Sequence, residues 1–231
     1  MTLKEMIHHR KSCRSFTNVP VDAATLETVK AFSMKPLYPD IRVQWDIVSR
    51  NQVKCICPWT TPQLITVYSE ETEGYLENAG FLFQQMELYL QTLGLGVCWL
   101  GMGRMDPKTA QKVEGMKFVI MLAFGHPKDE GLRQDPKEFK RKAMKQITNK
   151  PDPRLEPARL APSSVNSQPW YFLCHGEEIH VFCNRKGPLS DMNRIDVGIA
   201  LAHLYVANTD TFRFFPPRKD STKDHIGTVV L

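Results

Sequence analysis

No pair of the six cysteines has Cys-x-x-Cys spacing, and Cys55-x-Cys57 is the one close approach. Neither a disulfide frame nor a zinc site is therefore expected; reduced thiols in a cytoplasmic protein are. Long apolar runs are missing too. Phe118 to Phe124, one of the longest, falls far short of the ~20 residues a membrane span requires. The opening stretch, Met1 to Lys11, holds charge and two histidines where a secretion signal would hold an apolar core, so export is not expected. There is no Ser/His/Asp or paired-carboxylate constellation, which leaves no side chain to expect as a nucleophile or general acid. His8 and His9 are adjacent and cannot share one helix face, and His203 reads as a packed or surface histidine, so no metal site is expected. Strong charge bias is also lacking. Thirty Lys and Arg against 25 Asp and Glu give +5, too diffuse for nucleic acid but suited to a phosphate-bearing small molecule.

What is there is the composition of a globular chain. It has 231 residues, 42% hydrophobic and 24% charged, enough to bury a core in one large or two small domains. Thr2-x-x-Glu5 is a capping-box pattern that opens a short helix, and Asp22 caps a second over Ala23 to Phe32. Strands are expected at Val43 to Val48, Gln63 to Tyr68 and Lys117 to Gly125. The longest helical pattern runs from Tyr75 to Leu93, with Gly94 as its stop. Asp106-Pro107 should start a short helix.

Three stretches carry chemistry. Arg10-Lys-Ser12-Cys-Arg14-Ser-Phe16 puts three cations and two hydroxyls just past a short helix, either a phosphate clamp or a solvated basic turn. Gly94-Leu-Gly-Val-Cys-Trp-Leu-Gly101 is no dinucleotide fingerprint: four residues separate Gly96 from Gly101, and a helix precedes it. Its glycines suit close backbone approach to a flat ligand. Ala161-Pro-Ser-Ser-Val-Asn-Ser-Gln-Pro-Trp170 is bounded by prolines, so it cannot be ordinary helix interior. It presents Ser163, Ser164, Asn166, Ser167 and Gln168 as an uncharged comb of donors and acceptors. A surface turn remains the plain alternative, although Trp170 and the strand Tyr-Phe-Leu-Cys behind it tie the comb to a sheet edge.

From Asp129 to Pro157 the chain turns polar, with Lys140, Arg141 and Lys142 either solvated or closing on a phosphate. The order of elements then recurs: a helical stretch at Pro153 to Leu160, the proline-bounded loop, a Trp-bearing strand, a strand at Glu178 to Cys183, and a helix over Asp196 to Asn208. Short strands follow at Phe212 to Phe215 and Thr228 to Leu231. Asp191 and Asp196 are expected to cap or start that last helix. Two related halves packed about a pseudo-twofold axis are inferred.

On the basic, glycine and Pro-Ser-Ser-x-Asn-x-Gln-Pro-Trp motifs, the chain resembles the FMN-dependent nitroreductase family. The resemblance implies an α+β fold with mainly antiparallel sheet flanked by helices. Ordinary members carry the serine–asparagine loop soon after the basic motif and build each flavin site from two identical chains. Here Lys35 to Trp45 occupies that slot without the motif, and the loop lies in the second half. The chain is thus similar to the single-chain branch called putative TM nitroreductase. Residues 1–130 would form one nitroreductase-like half, 131–152 a polar connector and 153–231 the other half. This internal pseudo-dimer implies a monomer with one complete FMN site.

The resemblance gives Arg10, Lys11, Ser12 and Arg14 the phosphate and ribityl end, with Lys140 and Lys142 as further partners. Pro162, Ser163, Ser164, Asn166 and Gln168 would line the ring and ribityl, and the backbone of Leu100 and Gly101 would approach N5 of the flavin. The implied activity is ping-pong hydride transfer from NAD(P)H through FMN to nitroaromatic, quinone or similar flat acceptors, with the flavin carrying the chemistry. Alternatives are a flavin enzyme with a dedicated substrate, such as an oxidase or reductive dehalogenase, and a non-catalytic flavin-binding protein. Neither nucleic acid nor membrane is an expected partner.

Overall fold

The computed structural model describes residues 1–57, 59, 61–110, 113–129, 131–185 and 187–231. Helix α1 (Leu3–Met6) is one turn, closed by the expected box: Glu5 N–H donates to Thr2 Oγ1, and the Glu5 carboxylate accepts from Thr2 N–H. Helix α2 (Ala23–Ala31) is capped by Asp22, which accepts from Thr25 N–H at 2.9 Å. Then come β1 (Val43–Ser49), β2 (Val53–Cys55), β3 (Gln63–Ser69), α3 (Tyr75–Thr92), β4 (Gly96–Leu100), β5 (Gly103–Met105) and β6 (Lys117–Gly125). Strands β1, β3, β6 and β4 form one antiparallel sheet in that order, and β2 pairs with β5 in a separate ribbon.

Past the connector lie α4 (Met144–Ile147), α5 (Glu156–Leu160), β7 (Trp170–His175), β8 (Glu178–Cys183), α6 (Ser190–Ala207), β9 (Arg213–Phe215) and β10 (His225–Val230). The second sheet runs β7-β8-β10-β9, again antiparallel. Both sheets place their strands in the order first, second, fourth, third, with an 18-residue helix between the second and third. This is an α+β architecture of two antiparallel sheets flanked by helices.

The two long helices cross at bare backbone. A Cβ on Gly80 would lie 2.1 Å from the Ile195 carbonyl oxygen, and one on Gly198 would lie 2.0 Å from that of Glu77. Neither position can carry a side chain without moving a helix. Around the crossing, α3 and α6 are buried along most of their length, with Phe83, Met86, Ile199 and Leu201 among the side chains shared with both sheets.

Three sequence expectations need correction. Residues 107–109 form a turn, and no described residue after Asp106-Pro107 begins the expected helix. Helix α6 begins six residues earlier than its apolar pattern, so Asp196 lies inside it and not at its start; polar residues of the first turn hid the true beginning. The glycine motif is in part a strand, β4, and Gly96 in it leaves room for the Cys13 side chain.

Candidate functional site

The basic turn is laid along β4. Cys13 N–H donates to the Val97 carbonyl at 2.8 Å, and Ser12 and Val97 bridge in parallel. A Cβ at Gly96 would meet Cys13 Sγ at 2.6 Å, so the bare glycine admits the turn. Arg10 then points inward, not out. Its Nε and Nη2 donate to Glu87 Oε1 at 3.0 and 2.7 Å, and Nη2 also reaches Ser12 Oγ at 3.1 Å. Glu87 also accepts from Gln84 and Gln91, while Gln91 Oε1 takes Lys11 N–H and Gln84 Oε1 takes Trp99 Nε1–H. His203 completes this buried network: Nδ1–H donates to the Pro157 carbonyl, so Nε2 accepts from Gln84. Burial pushes His203 down to about 3 and keeps it neutral.

The serine loop is held from two directions. Both oxygens of the Asp196 carboxylate sit 3.0 Å from Ser164 N–H, and Ser163 Oγ accepts from Gln168 N–H at 2.9 Å. The connector secures the far side. Asn166 donates to the Lys140 carbonyl and accepts from Arg141 Nη1, both at 2.8 Å. Gln168 Oε1 accepts from Lys142 N–H, and Lys142 Nζ binds the carbonyls of Ser167 and Gln168. These bonds hold Val165, Asn166 and Gln168 at φ of 46°, 56° and 47°, a left-handed region that a β-branched residue rarely enters.

Turn, strand end and loop meet at one cavity of about 510 Å³. Ser12 and Arg14 line it from the turn, Leu100 and Gly101 from the end of β4, and Pro162, Ser163 and Ser164 from the loop. Trp99, Ile120, Ile195 and Ile199 supply apolar wall. Lys11 instead lines an adjoining cavity of about 730 Å³, which shares Ser12 and Arg14 with the first. The remaining expected residues do not line either space. Arg10 is engaged with Glu87, while Asn166, Gln168, Lys140 and Lys142 stitch loop to connector. Cys57 and Cys98 also face the first cavity, but burial raises both thiols, Cys57 to about 11, so neither is a ready nucleophile.

The cavity role of Asp196 and the part played by Arg133 escaped the sequence reading. Asp196 lines the cavity from α6, and burial, opposed only by the Ser164 N–H bond, pushes its carboxyl up to about 7. Arg133 and Arg141 both stack on Phe139, at 4.2 and 5.6 Å from the ring centre, and Arg133 Nη1 donates to the Arg10 carbonyl. Burial and then the neighbouring Arg10 lower both guanidiniums, Arg141 to about 10. The basic run at Lys140 to Lys142 pointed to Arg141, whereas nothing in the sequence singled out Arg133.

The sequence model of the Putative TM nitroreductase family matches residues 2–208. The chain belongs to that family. A putative nitroreductase of Thermotoga maritima MSB8 shares this nitroreductase fold at a TM-score of 0.71 and 20% identity, covering 100% of this chain and 94% of that one. A putative nitroreductase of Desulfovibrio desulfuricans, solved in complex with FMN, aligns at a TM-score of 0.48 and 17% identity over 65% of this chain and 96% of its own. No curated protein matches the chain. Like the rest of the described chain, the helices of this nitroreductase family member include none long and apolar enough to cross a membrane.

Proposed function

We propose that the chain is an FMN-dependent oxidoreductase that passes hydride from NAD(P)H to flat acceptors such as nitroaromatics and quinones. One observation carries the reading: the basic turn, the bare end of β4 and the serine loop, drawn from both halves, line a single cavity. The lining fits a flavin. Gly101 offers bare backbone, where a Cβ would press on Met192 at 2.9 Å; Arg14 and Ser12 offer a cation and a hydroxyl; and the walls between are apolar. Ser12, Arg14, Ser163 and Ser164 would hold the group, with Leu100 and Gly101 facing its reactive edge. Arg14 is the cation of this lining that suits its phosphate. When bound, the flavin would supply the two-electron chemistry.

The chain's own residues orient and exclude. Asp196 fixes the serine loop through Ser164 N–H, and the Arg10–Glu87 network fixes the turn that carries Ser12 and Arg14. One site per chain follows from the other half. There, Asn78 Oδ1 accepts from Leu37 and Tyr38 N–H at 2.9 and 3.0 Å, much as Asp196 holds the serine loop. The segment it holds carries no hydroxyl comb, and Tyr38 fills the seam, its ring against Gly74 and edge-on to Phe214. The cations on that side are engaged as well, Arg194 making two bonds to Glu77.

Anaerobic titration tests the reading. Purified protein reconstituted with FMN should show flavin absorbance at one equivalent per chain, bleach with NADH or NADPH, and recover on adding a quinone or nitroaromatic. Bound flavin that neither nucleotide reduces would leave a flavin-binding protein; no flavin binding would overturn the proposal.

A further inference from the structure

Four exposed apolar side chains of this protein gather at one place. Ile56 is 80% exposed, Val165 81%, Met102 58% and Leu189 37%, and all four line the cavity at the seam. They are four of the ten large hydrophobic residues exposed in the described chain, although the lining holds only 20 residues. Singly exposed apolar residues need no explanation, whereas a ring of them around an opening does. The four come from separate segments: the stretch after β2, the turn between β4 and β5, the serine loop and the residue before α6. Both halves of the chain therefore contribute.

Val165 adds a second observation. It is β-branched yet sits at φ 46°, and its neighbours hold it there, with Ser164 N–H on Asp196 and Asn166 tied to Lys140 and Arg141. Hydrogen bonds on both sides thus fix an unfavourable backbone whose visible result is an isopropyl group displayed at the mouth. The charges of the lining are few: Arg14 and the buried Asp196. A charged or strongly hydrated acceptor would gain nothing from such a rim.

Resting on the oxidoreductase reading above, we propose that the rim binds an apolar tail on the acceptor. The substrate class is a neutral flat ring bearing an alkyl chain, such as an alkylated quinone, with the ring inward and the chain across Ile56, Met102, Val165 and Leu189. The reaction balances as a two-electron, two-proton reduction. NAD(P)H gives up a hydride, solvent gives a proton, and both quinone carbonyls become hydroxyls while NAD(P)⁺ leaves. Val165 sets specificity; it takes no part in the chemistry.

The test is a homologous series. FMN-loaded protein is assayed with 1,4-benzoquinones carrying alkyl chains of none to six carbons. Calorimetric titration with 4-alkylbenzamides, which accept no electrons, gives the matching binding constants. Half-burial of each methylene lowers KM and Kd by about twofold per carbon, with kcat unchanged. Val165→Ser flattens both slopes, and Val19→Ser, at an exposed valine outside the cavity, leaves them intact. Slopes that are flat in the native protein, or unaltered by Val165→Ser, overturn the rim proposal while leaving the oxidoreductase reading standing. A Kd slope with no quinone reduced upholds the rim and overturns the activity. Flotation with phosphatidylcholine vesicles that is lost in Val165→Ser would make the rim a lipid-docking surface and overturn the acceptor-tail assignment.

Discussion

Arg10 gives its guanidinium to Glu87, with Nη2 at 2.7 Å and Nε at 3.0 Å from one carboxylate oxygen and both side chains buried. A cation that the motif offers to a ligand is thereby committed to holding the turn. On the function proposed above, contact with the ligand falls to its neighbours, Ser12 and Arg14.

Arg10→Ala and Arg14→Ala should therefore fail differently. Removing Arg10 leaves Glu87 buried without its partner, and about 3–5 kcal/mol of stability should be lost in urea unfolding. Arg14 is exposed and makes no hydrogen bond or ion pair among the described residues. Its loss should leave the urea midpoint almost unchanged but weaken FMN binding about tenfold or more, as removing a charge-assisted bond does. Lys145→Ala, on α4, should change neither. Equal loss of FMN in Arg14→Ala and Lys145→Ala would remove the turn from the site.

Asp196 makes stability depend on pH. Its carboxyl is raised to about 7 in the folded chain, against 3.8 for an ordinary aspartate. Between those values the native state keeps a proton that the unfolded chain has released, so this group's contribution is complete below pH 4 and is lost as pH rises through 7. The loss is on the order of a few kcal/mol. Asp196→Asn should melt above the native protein at pH 8, by about 2–4 °C per kcal/mol recovered, and the gap should close by pH 4. Asparagine is tolerated in the equivalent role at Asn78. A gap independent of pH would show that the carboxyl is ionised throughout.

Tyr38→Ala addresses the closed side. Deleting a mostly buried ring should cost about 3–5 kcal/mol. Flavin stoichiometry should stay at one per chain, because the cations there remain paired with Glu77. Two flavins per chain in the variant would show that the ring alone was keeping the second site shut.

Much of this was legible in sequence, and the parts that were not share a cause. The capping box at Thr2, the Asp22 cap and the strands at Glu178–Cys183 and Lys117–Gly125 depend on local chemistry, and local chemistry can be read directly. The partners of Asn166 and Gln168 could not be read so. Their amides look free in the sequence, but they spend themselves on a connector some 25 residues earlier. Arg10 was misleading for the same reason, since Glu87 lies 77 positions away. Asp196 looked like a cap because the apolar pattern of the helix begins beside it, and only the packing of α6 against the loop turns it into the wall of a cavity.

The crossing at Gly80 and Gly198 has a last consequence. With carbonyls of each helix resting on the other's α-carbons, neither helix can swing or melt while the other stands, so a calorimeter should record one peak for the whole chain. Asp196 and Ile199, beside that weld, belong to the cavity wall. The floor of the pocket is thus as stiff as the weld itself, and any retuning toward new molecules has to happen at its lip.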